Sequence, residues 1–246
     1  MYPVLLRIGS FEVTSFGLMV GLGALVGLWI FGRELAASRL PEAAQNGAAL
    51  GVIGGLIGAK LLWTVEHLGE EPIADLLLSR GGLSWFGGFV GGVVTALVYF
   101  AVRGYPIVPI VAASTPALAI GQAIGRIGCF LVGDDYGRPT SLPWGVAFPQ
   151  GLPPTTARVH PTQIYEALAL SVLGVLLIRW RRGGLDSRRV LGRYLLIGGA
   201  VRFAIEFVRV NERVLAGLTV AHLASLAMMA VGLALLATHR ARRPAG

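Results

Sequence analysis

The chain has 246 residues, of which 54% are hydrophobic and 14% are charged, and its mean hydropathy is +0.70. An ordinary soluble domain of this length does not have such values, so the composition predicts a polytopic membrane protein. The formal net charge of +8 does not indicate nucleic-acid binding, because the arginines separate long apolar runs instead of following one amphipathic face. The single cysteine excludes an intrachain disulfide and a CxxC metal site.

Apolar runs divide the chain into predicted membrane spans. The 20 uncharged residues between Glu12 and Arg33 suffice for one crossing of a ~30 Å hydrocarbon core. A second run extends from Ala43 to Val65 and is interrupted only by Lys60. Further spans are predicted between Arg80 and Arg103, between Arg103 and Arg126, from Pro161 to Trp180, from Gly192 to Val208, and between Arg213 and His239. The sequence thus predicts an all-α polytopic membrane protein with seven transmembrane helices in one integral membrane domain, residues 1–246.

The longest polar stretch, residues 126–160, is rich in Gly, Pro, Asp and Thr and contains a short strand-like piece, WGVAFP. It predicts a folded extramembrane head between the fourth and fifth spans. The arginines then predict the orientation, since cytoplasmic loops carry an excess of them. One side of the membrane receives Arg39, Arg103, Arg179, Arg181, Arg182, Arg188, Arg189, Arg240, Arg242 and Arg243. The other side receives Arg7, Arg80, Arg138, Arg158 and Arg213, so the N-terminus and the head are predicted outside and the C-terminus inside.

Many of the 35 glycines stand at small-xxx-small spacing. The pairs are Gly51 and Gly55, Gly54 and Gly58, and Gly88 and Gly92. Such spacing lets helix backbones approach each other closely in a membrane, so these pairs predict tight helix contacts.

The sixth predicted span carries Arg202 and Glu206, and Arg209 directly follows Val208, so the three stand at positions i, i+4 and i+7. At 100° per residue they fall on one helical face, within about 10 Å along the axis. Ionisable groups within a membrane span face the protein interior or a wet cavity. Two guanidiniums against one carboxylate leave a surplus positive charge, which predicts an anion site suited to phosphate. The alternative is an internal salt-bridge network that only holds helices together.

The segment from Gly125 to Gly137, GRIGCFLVGDDYG, adds polar groups where the fourth apolar run ends. Arg126, at the predicted outer end of that span, provides either another anion contact or an ordinary interfacial arginine. Asp134 and Asp135 either orient the arginines, act as a base, or belong to a solvated turn. The glycines of this region allow close backbone approach or turns: Gly121, Gly125, Gly128, Gly133 and Gly137.

His160, Gln163 and Glu166 form a second polar group at the start of the fifth predicted span, where the three can converge. His160 is a candidate for proton transfer, and a capping or hydrogen-bonding role is the alternative. His67 and His222 are predicted to be interfacial, because neither has an acidic partner in its own helix. Four scattered histidines without HxxxH spacing predict no metal site, and nothing in the sequence calls for a cofactor.

Several pieces together resemble the bacterial prolipoprotein diacylglyceryl transferases. In chain order they are FGLMVGLG, GGLSWFGGFVGG, GQAIGRIGCF followed by DDYGRP, HPTQIYEAL, RFAIEFVR and GLTVAHLASL. The resemblance covers nearly the whole chain, and its specific part is the order of GRIG, HPTQIYE and RFxxEFxR. It implies a multi-pass enzyme of the bacterial inner membrane with a periplasmic N-terminus and head. Its substrates would be phosphatidylglycerol, whose diacylglyceryl group is transferred, and the lipobox cysteine of a prolipoprotein, with release of glycerol phosphate.

The resemblance also implies roles for individual residues. Arg126, Arg202 and Arg209 would bind and stabilise the leaving phosphate, and Glu206 would orient them. Asp134 would match the acidic residue of the family signature. The catalytic group would therefore be Arg126, Arg202, Glu206, Asp134 and His160. The substrate-contacting group would be Arg209, Gly125, Gly128, Cys129, Gly137, Gln163, Glu166 and Phe86.

The chain departs from the family pattern at four positions. Phe86 stands where the family has the histidine taken as the base, and Cys129 stands in place of the signature asparagine. Phe16 and Gly198 replace tyrosines. The proton acceptor is therefore open among His160, Asp134 and Glu206, unless the substrate thiol arrives ionised beside the arginines.

Two other functions stay open at this stage. One is a family member that moves a lipid group to an acceptor other than a lipobox cysteine, which the departures from the pattern favour. The other is a lipid or anion transporter that uses the arginine cavity for passage. Transporters often contain inverted repeats and broken helices in both halves, and the sequence has no apparent repeat.

Overall fold

The computed structural model describes residues 4–8, 11–79 and 82–240. Its helices and strands follow one another along the chain. They are β1 (Val4–Ile8), β2 (Phe11–Thr14), α1 (Ser15–Ala37), α2 (Ala44–Glu66), α3 (Ile73–Leu78), α4 (Trp85–Val102), α5 (Ile107–Val132), β3 (Val146–Phe148), β4 (Thr155–Val159), α6 (Thr162–Arg182), α7 (Ser187–Glu206) and α8 (Val220–Arg240). Three of the arginines behind the predicted membrane orientation lie outside the described residues: Arg80, Arg242 and Arg243.

The described chain is mostly helical and has helices suited to a membrane. Five of them are long and apolar enough to cross one: α1, α2, α5, α6 and α8. Helix α4 is a shorter apolar helix. The 20-residue α7 does not join this set, because its sequence carries five charged side chains, Arg188, Arg189, Arg193, Arg202 and Glu206.

The expectation of an all-α chain is wrong for two short segments. β1 pairs antiparallel with β2, and β3 pairs antiparallel with β4. Glu12, the expected border of the first helix, lies in β2, where it forms an ion pair with Arg7 of β1 at 2.8 Å. The second hairpin contains the predicted strand-like piece, of which Val146–Phe148 forms β3.

Two predicted helix boundaries are wrong in a way that bears on function. Helix α5 does not end at Arg126 but continues to Val132, so Arg126 and Cys129 are helical. Helix α7 starts earlier than Gly192 and ends at Glu206, before Arg209. Its early start has a clear cause, since Asp186 caps the helix by accepting hydrogen bonds from the first backbone N–H groups.

The described residues form two compact units, one from residues up to Phe31 together with those from Val111 onward, and one from Gly32 to Ile110. In the first unit, α5, α6 and α7 share a hydrophobic core made of Ala112, Ala119, Ala123, Leu170, Leu173, Leu177 and Val190. Helix α7 also packs along α8, where Gly192 faces Gly232 closely enough that added methyl groups would meet the opposing backbone.

The second unit is organised around the contact between α2 and α4. The predicted glycine pairs lie at this contact, which confirms their role in close packing. A Cβ at Gly51 would lie 3.1 Å from the carbonyl oxygen of Gly92, and one at Gly55 would lie 3.1 Å from that of Gly88. Glycine is required here because any side chain would push the two backbones apart.

Candidate active site

Six charged side chains of the first unit close a ring of alternating sign. Four links of this ring run from Arg126 Nε to Glu166 Oε2 (3.0 Å), from Glu166 Oε2 to Arg202 Nη1 (3.3 Å), from Arg202 Nη2 to Glu206 Oε2 (2.9 Å), and from Glu206 Oε2 to Arg209 Nε (3.7 Å). Asp135 closes it, with Oδ1 2.5 Å from Arg209 Nη2 and Oδ2 2.7 Å from Arg126 Nη1. We call these six residues the charge ring.

Three helices and two loops supply the charge ring. Arg126 comes from the last two turns of α5, Glu166 from the first two turns of α6, and Arg202 and Glu206 from the end of α7. Asp135 follows α5 directly and has a positive φ of 59°. The hydroxyl of Thr162 at the start of α6 donates to the backbone carbonyl of Asp135 at 2.7 Å, which fixes the loop beside α6.

Arg209 reaches the ring by a route that the sequence did not predict. It is not on a helical face with Arg202, but lies beyond the end of α7 in an isolated antiparallel bridge with Gly137. A Cβ at Gly137 would meet the carbonyl oxygen of Val208 and the side chain of His160, so only glycine allows this approach. Gly137 therefore places Arg209.

The charge ring is formally neutral, with three guanidiniums and three carboxylates. The expected surplus of positive charge on α7 is thus wrong for the ring as a whole, because Glu166 and Asp135 come from other elements. The side chains of Glu206 and Glu166 are 0% and 3% exposed, whereas that of Asp135 is 41% exposed. Asp135 is the carboxylate that can leave the ring most readily.

The two neighbouring aspartates differ in their electrostatics. Burial raises the pKa of Asp134, whose Oδ1 is buried without a hydrogen-bond partner among the described residues. Burial also acts to raise the pKa of Asp135, but the guanidiniums of Arg209 and Arg126 outweigh it and hold that pKa below its ordinary value. Asp134 is therefore the better proton acceptor, whereas the carboxyl group of Asp135 favours its ionised form.

His160, Gln163 and Glu166 do not converge as predicted. Glu166 belongs to the charge ring, and Gln163 donates to the backbone carbonyl of Asp134 at 2.5 Å. His160 Nδ1 instead lies 3.3 Å from the hydroxyl of Tyr165, which also accepts a hydrogen bond from Trp144 at 2.7 Å. His160, Tyr165 and Trp144 line an open, largely apolar cavity of about 430 Å³.

The remaining predicted substrate-contacting residues are spread over both units. Cys129 is buried one turn after Arg126, with its Sγ 3.9 Å from Arg126 Nη1. Gly128 packs against α1, where a Cβ would lie 2.9 Å from Met19, while Gly125 has open space beside it. Phe86 belongs to the second unit, on the first turn of α4.

One cluster near the ring has donor atoms of the kind that bind metals. Cys129, Asp134 and Asp135 each offer an atom within 4.8 Å of the others. Asp135 is already bound to two guanidiniums, whose charge disfavours a cation at this position. The two guanidiniums therefore make this cluster a poor place for a metal ion.

Sequence reasoning missed the residues that donate hydrogen bonds to the Glu206 carboxylate. Thr219 Oγ1 donates to Glu206 Oε1 at 2.8 Å, and Asn211 Nδ2 donates to the same oxygen at 2.6 Å. His222, which was predicted to be interfacial, is buried, with 3% exposure, beside Thr219. The spacing of Thr219 and His222 before an apolar run matches a helix-start signal, which could have indicated the contact between these two residues.

Comparison with known proteins places this geometry in context. The sequence profile described as prolipoprotein diacylglyceryl transferase matches residues 3–238. A phosphatidylglycerol–prolipoprotein diacylglyceryl transferase of Cereibacter sphaeroides is 39% identical over 251 residues, covering 89% of this chain and 82% of that protein. Proteins of the same name from Methylococcus capsulatus and Clostridium tetani are each 32% identical, over 258 and 219 residues. The alignment with the Methylococcus protein covers 99% of this chain and 97% of that protein. The alignment with the Clostridium protein covers 87% of each.

Proposed function

This chain belongs to the prolipoprotein diacylglyceryl transferase family, and we propose that the charge ring is where it carries out that family's reaction. It is an enzyme that transfers the diacylglyceryl group of phosphatidylglycerol to a prolipoprotein. The acceptor we assign is the lipobox cysteine thiol. The other product is then glycerol phosphate.

One observation carries the assignment of the phosphate position. Asp135 bridges Arg126 and Arg209 with one carboxylate oxygen on each guanidinium. A phosphate with two free oxygens can make the same pair of charge-assisted contacts. We place the lipid phosphate where the Asp135 carboxylate lies, with Asp135 swinging towards solvent as the lipid binds. Entry of the phosphate then preserves the neutrality of the ring.

The reaction follows from this placement as a substitution at the glyceryl carbon. The substrate thiolate attacks the carbon that bears the phosphate ester, so a C–S bond forms while the C–O bond breaks. The departing oxygen keeps the electron pair and leaves as part of glycerol phosphate. Arg126 and Arg209 stabilise the charge that grows on this oxygen and its phosphate, and Glu206 with Arg202 holds Arg209 in place.

We assign the removal of the thiol proton to Asp134. His160 faces a different cavity, and Glu206 is fully buried in ion pairs. Asp134 lies beside the ring, and its buried Oδ1 has no hydrogen-bond partner in the described part of the chain. Its pKa is raised by burial, which makes its carboxylate a stronger base. Cys129, its close neighbour, is buried beneath Arg126 and needs no covalent role.

Changing Asp134 to Asn is expected to lower kcat by about 10²-fold, the ordinary contribution of a positioned general base. Only the ionised carboxylate accepts the proton, and the pKa of Asp134 is raised. As the pH is lowered, wild-type activity should therefore decline at a higher pH than it would with an ordinary aspartate. Rates measured from pH 4 to 9 would show this acid limb in the wild type and in Asp134→Glu but not in Asp134→Asn. An unchanged pH profile in Asp134→Asn would exclude Asp134 as the base.

Changing Asp135 to Asn is expected to lower KM for phosphatidylglycerol several-fold, because the competing anion leaves and the ring gains one positive charge. The same change should lower the thermal midpoint, since two guanidiniums lose a partner. Initial rates at varied lipid content in mixed micelles would give KM, and a melting curve would give stability. A raised KM would mean that the carboxylate assists lipid binding instead of competing with it.

For the membrane arrangement we propose seven crossings, with α4 and α7 completing the five longer apolar helices. The arginine distribution supports a periplasmic N-terminus and a cytoplasmic C-terminus in the bacterial inner membrane. Because α5 extends to Val132, we place the start of the periplasmic head at Gly133 rather than at Arg126, and its end near His160. Cysteine accessibility measured in loops on each side tests this arrangement.

The test of function is transfer of radiolabelled diacylglyceryl from phosphatidylglycerol to a lipobox peptide by the purified full-length protein. A peptide with serine in place of the lipobox cysteine is the matched control. We expect label on the cysteine peptide alone. Consumption of lipid without labelled peptide would instead indicate a different acceptor, and lipid movement across vesicles without any cleavage would indicate a transporter.

A further inference from the structure

At the start of α8, Thr219 and His222 hold each other through two reciprocal hydrogen bonds. The backbone N–H of His222 donates to Thr219 Oγ1 at 3.2 Å, and the backbone N–H of Thr219 donates to His222 Nδ1 at 3.3 Å. Both residues are buried. The geometry is that of a capping box in which an imidazole replaces the usual Glu or Gln side chain.

The Thr219 hydroxyl also connects this box to the charge ring. It has one hydrogen, which it donates to Glu206 Oε1 at 2.8 Å, so its lone pairs are left to accept from the His222 backbone. The other oxygen of Glu206 lies 2.9 Å from Arg202 Nη2 and 3.7 Å from Arg209 Nε. One oxygen of Glu206 is thus fixed by the α8 box, and the other sets the positions of two guanidiniums.

The imidazole of His222 takes part in the box through Nδ1, which accepts a hydrogen bond from the Thr219 backbone N–H. Nε2 is buried without a hydrogen-bond partner in the described part of the chain. The ring centroids of Phe203 and Phe207 lie 4.9 and 4.6 Å from that of the imidazole. The acceptor at Nδ1 is therefore what the box requires from this side chain.

We propose that Thr219 and His222 are positioning residues for diacylglyceryl transfer, acting through Glu206 on Arg202 and Arg209. The inference rests on the proposed phosphate site. A helix cap that served stability alone would not need its hydroxyl hydrogen directed at a buried carboxylate of the ring. Here the cap both starts α8 and fixes the carboxylate that orients two guanidiniums.

Thr219→Val provides the first test, because it keeps the side-chain shape and removes the hydroxyl. We expect kcat to fall about tenfold per folded molecule, as for loss of one buried hydrogen bond to a charged group, with little change in KM for the peptide. Thr219→Ser should restore the wild-type kcat. His222→Gln keeps a capping acceptor and should stay close to wild type, whereas His222→Phe should behave like Thr219→Val. Melting curves give the folded fraction of each variant.

A double substitution separates positioning from stability. In a Glu206→Gln background, Thr219→Val should cause little further loss of kcat, because the two residues act as one unit. Additive losses, or a fully active folded Thr219→Val protein, would overturn the inference. If Arg126→Ala retains full transfer activity, the proposed phosphate site itself is wrong. Loss of activity in Arg126→Ala but not in Thr219→Val contradicts only the positioning role.

Discussion

Alanine in place of Arg126 is expected to lower kcat/KM for lipobox peptide transfer by about 10²- to 10³-fold, the usual cost of removing a donor aimed at developing charge. Arg126 contacts Asp135 with Nη1 and Glu166 with Nε, and its side chain is only 17% exposed. Its removal takes away one of the two guanidiniums that we place on the leaving phosphate. Initial rates of label transfer measure the effect directly.

Two control variants make this result specific to the site. Arg213→Ala removes an exposed arginine from the loop before α8 and should leave the rate near wild type. Arg126→Lys keeps the charge but not the two-pronged geometry, so its rate should lie between those of the wild type and Arg126→Ala. A wild-type rate in Arg126→Ala would exclude the charge ring as the phosphate site.

Gln in place of Glu166 is expected to cause the largest loss of stability, about 3–5 kcal/mol in the free energy of unfolding. Glu166 Oε2 lies 3.0 Å from Arg126 Nε and 3.3 Å from Arg202 Nη1, and its side chain is 3% exposed. Loss of its charge leaves two poorly solvated guanidiniums facing each other. Denaturant unfolding of the purified protein in detergent would measure the difference.

The matched control is Glu12→Gln at the N-terminal hairpin. Glu12 forms an ion pair with Arg7 at 2.8 Å, but their side chains are 46% and 71% exposed. Exposed pairs contribute little, so this change should alter the free energy of unfolding by less than about 1 kcal/mol. Equal effects of the two substitutions would show that the charge ring does not stabilise the folded state beyond an ordinary surface pair.

Local patterns in the sequence predicted the apolar helices well, because hydropathy and glycine spacing are properties of neighbouring residues. Ala43–Val65 differs from α2 by one residue at each end. The end of α5 was placed wrongly because a charged residue was taken to end a helix, whereas the start of α7 was placed too late because the Asp186 cap was not recognised. In this fold Arg126 is retained inside α5 because Glu166 and Asp135, from other elements, neutralise it.

The members of the charge ring were predicted individually, but their arrangement was not. Helical spacing placed Arg209 on one face with Arg202, whereas a backbone bridge to Gly137 carries it. No local pattern encodes a contact between residues about 70 positions apart. The same limit explains why Glu166 was grouped with His160, its neighbour in sequence, although its partners are Arg126 and Arg202.

The exposed position of Asp135 also has a consequence for turnover. If phosphate and Asp135 alternate between Arg126 and Arg209, the same side chain that must yield to the lipid returns when the reaction ends. When the Asp135 carboxylate returns, it displaces the glycerol phosphate and restores the ion pairs with the two arginines. On the proposed placement of the phosphate, Asp135 would therefore assist product release as well as yield to the substrate.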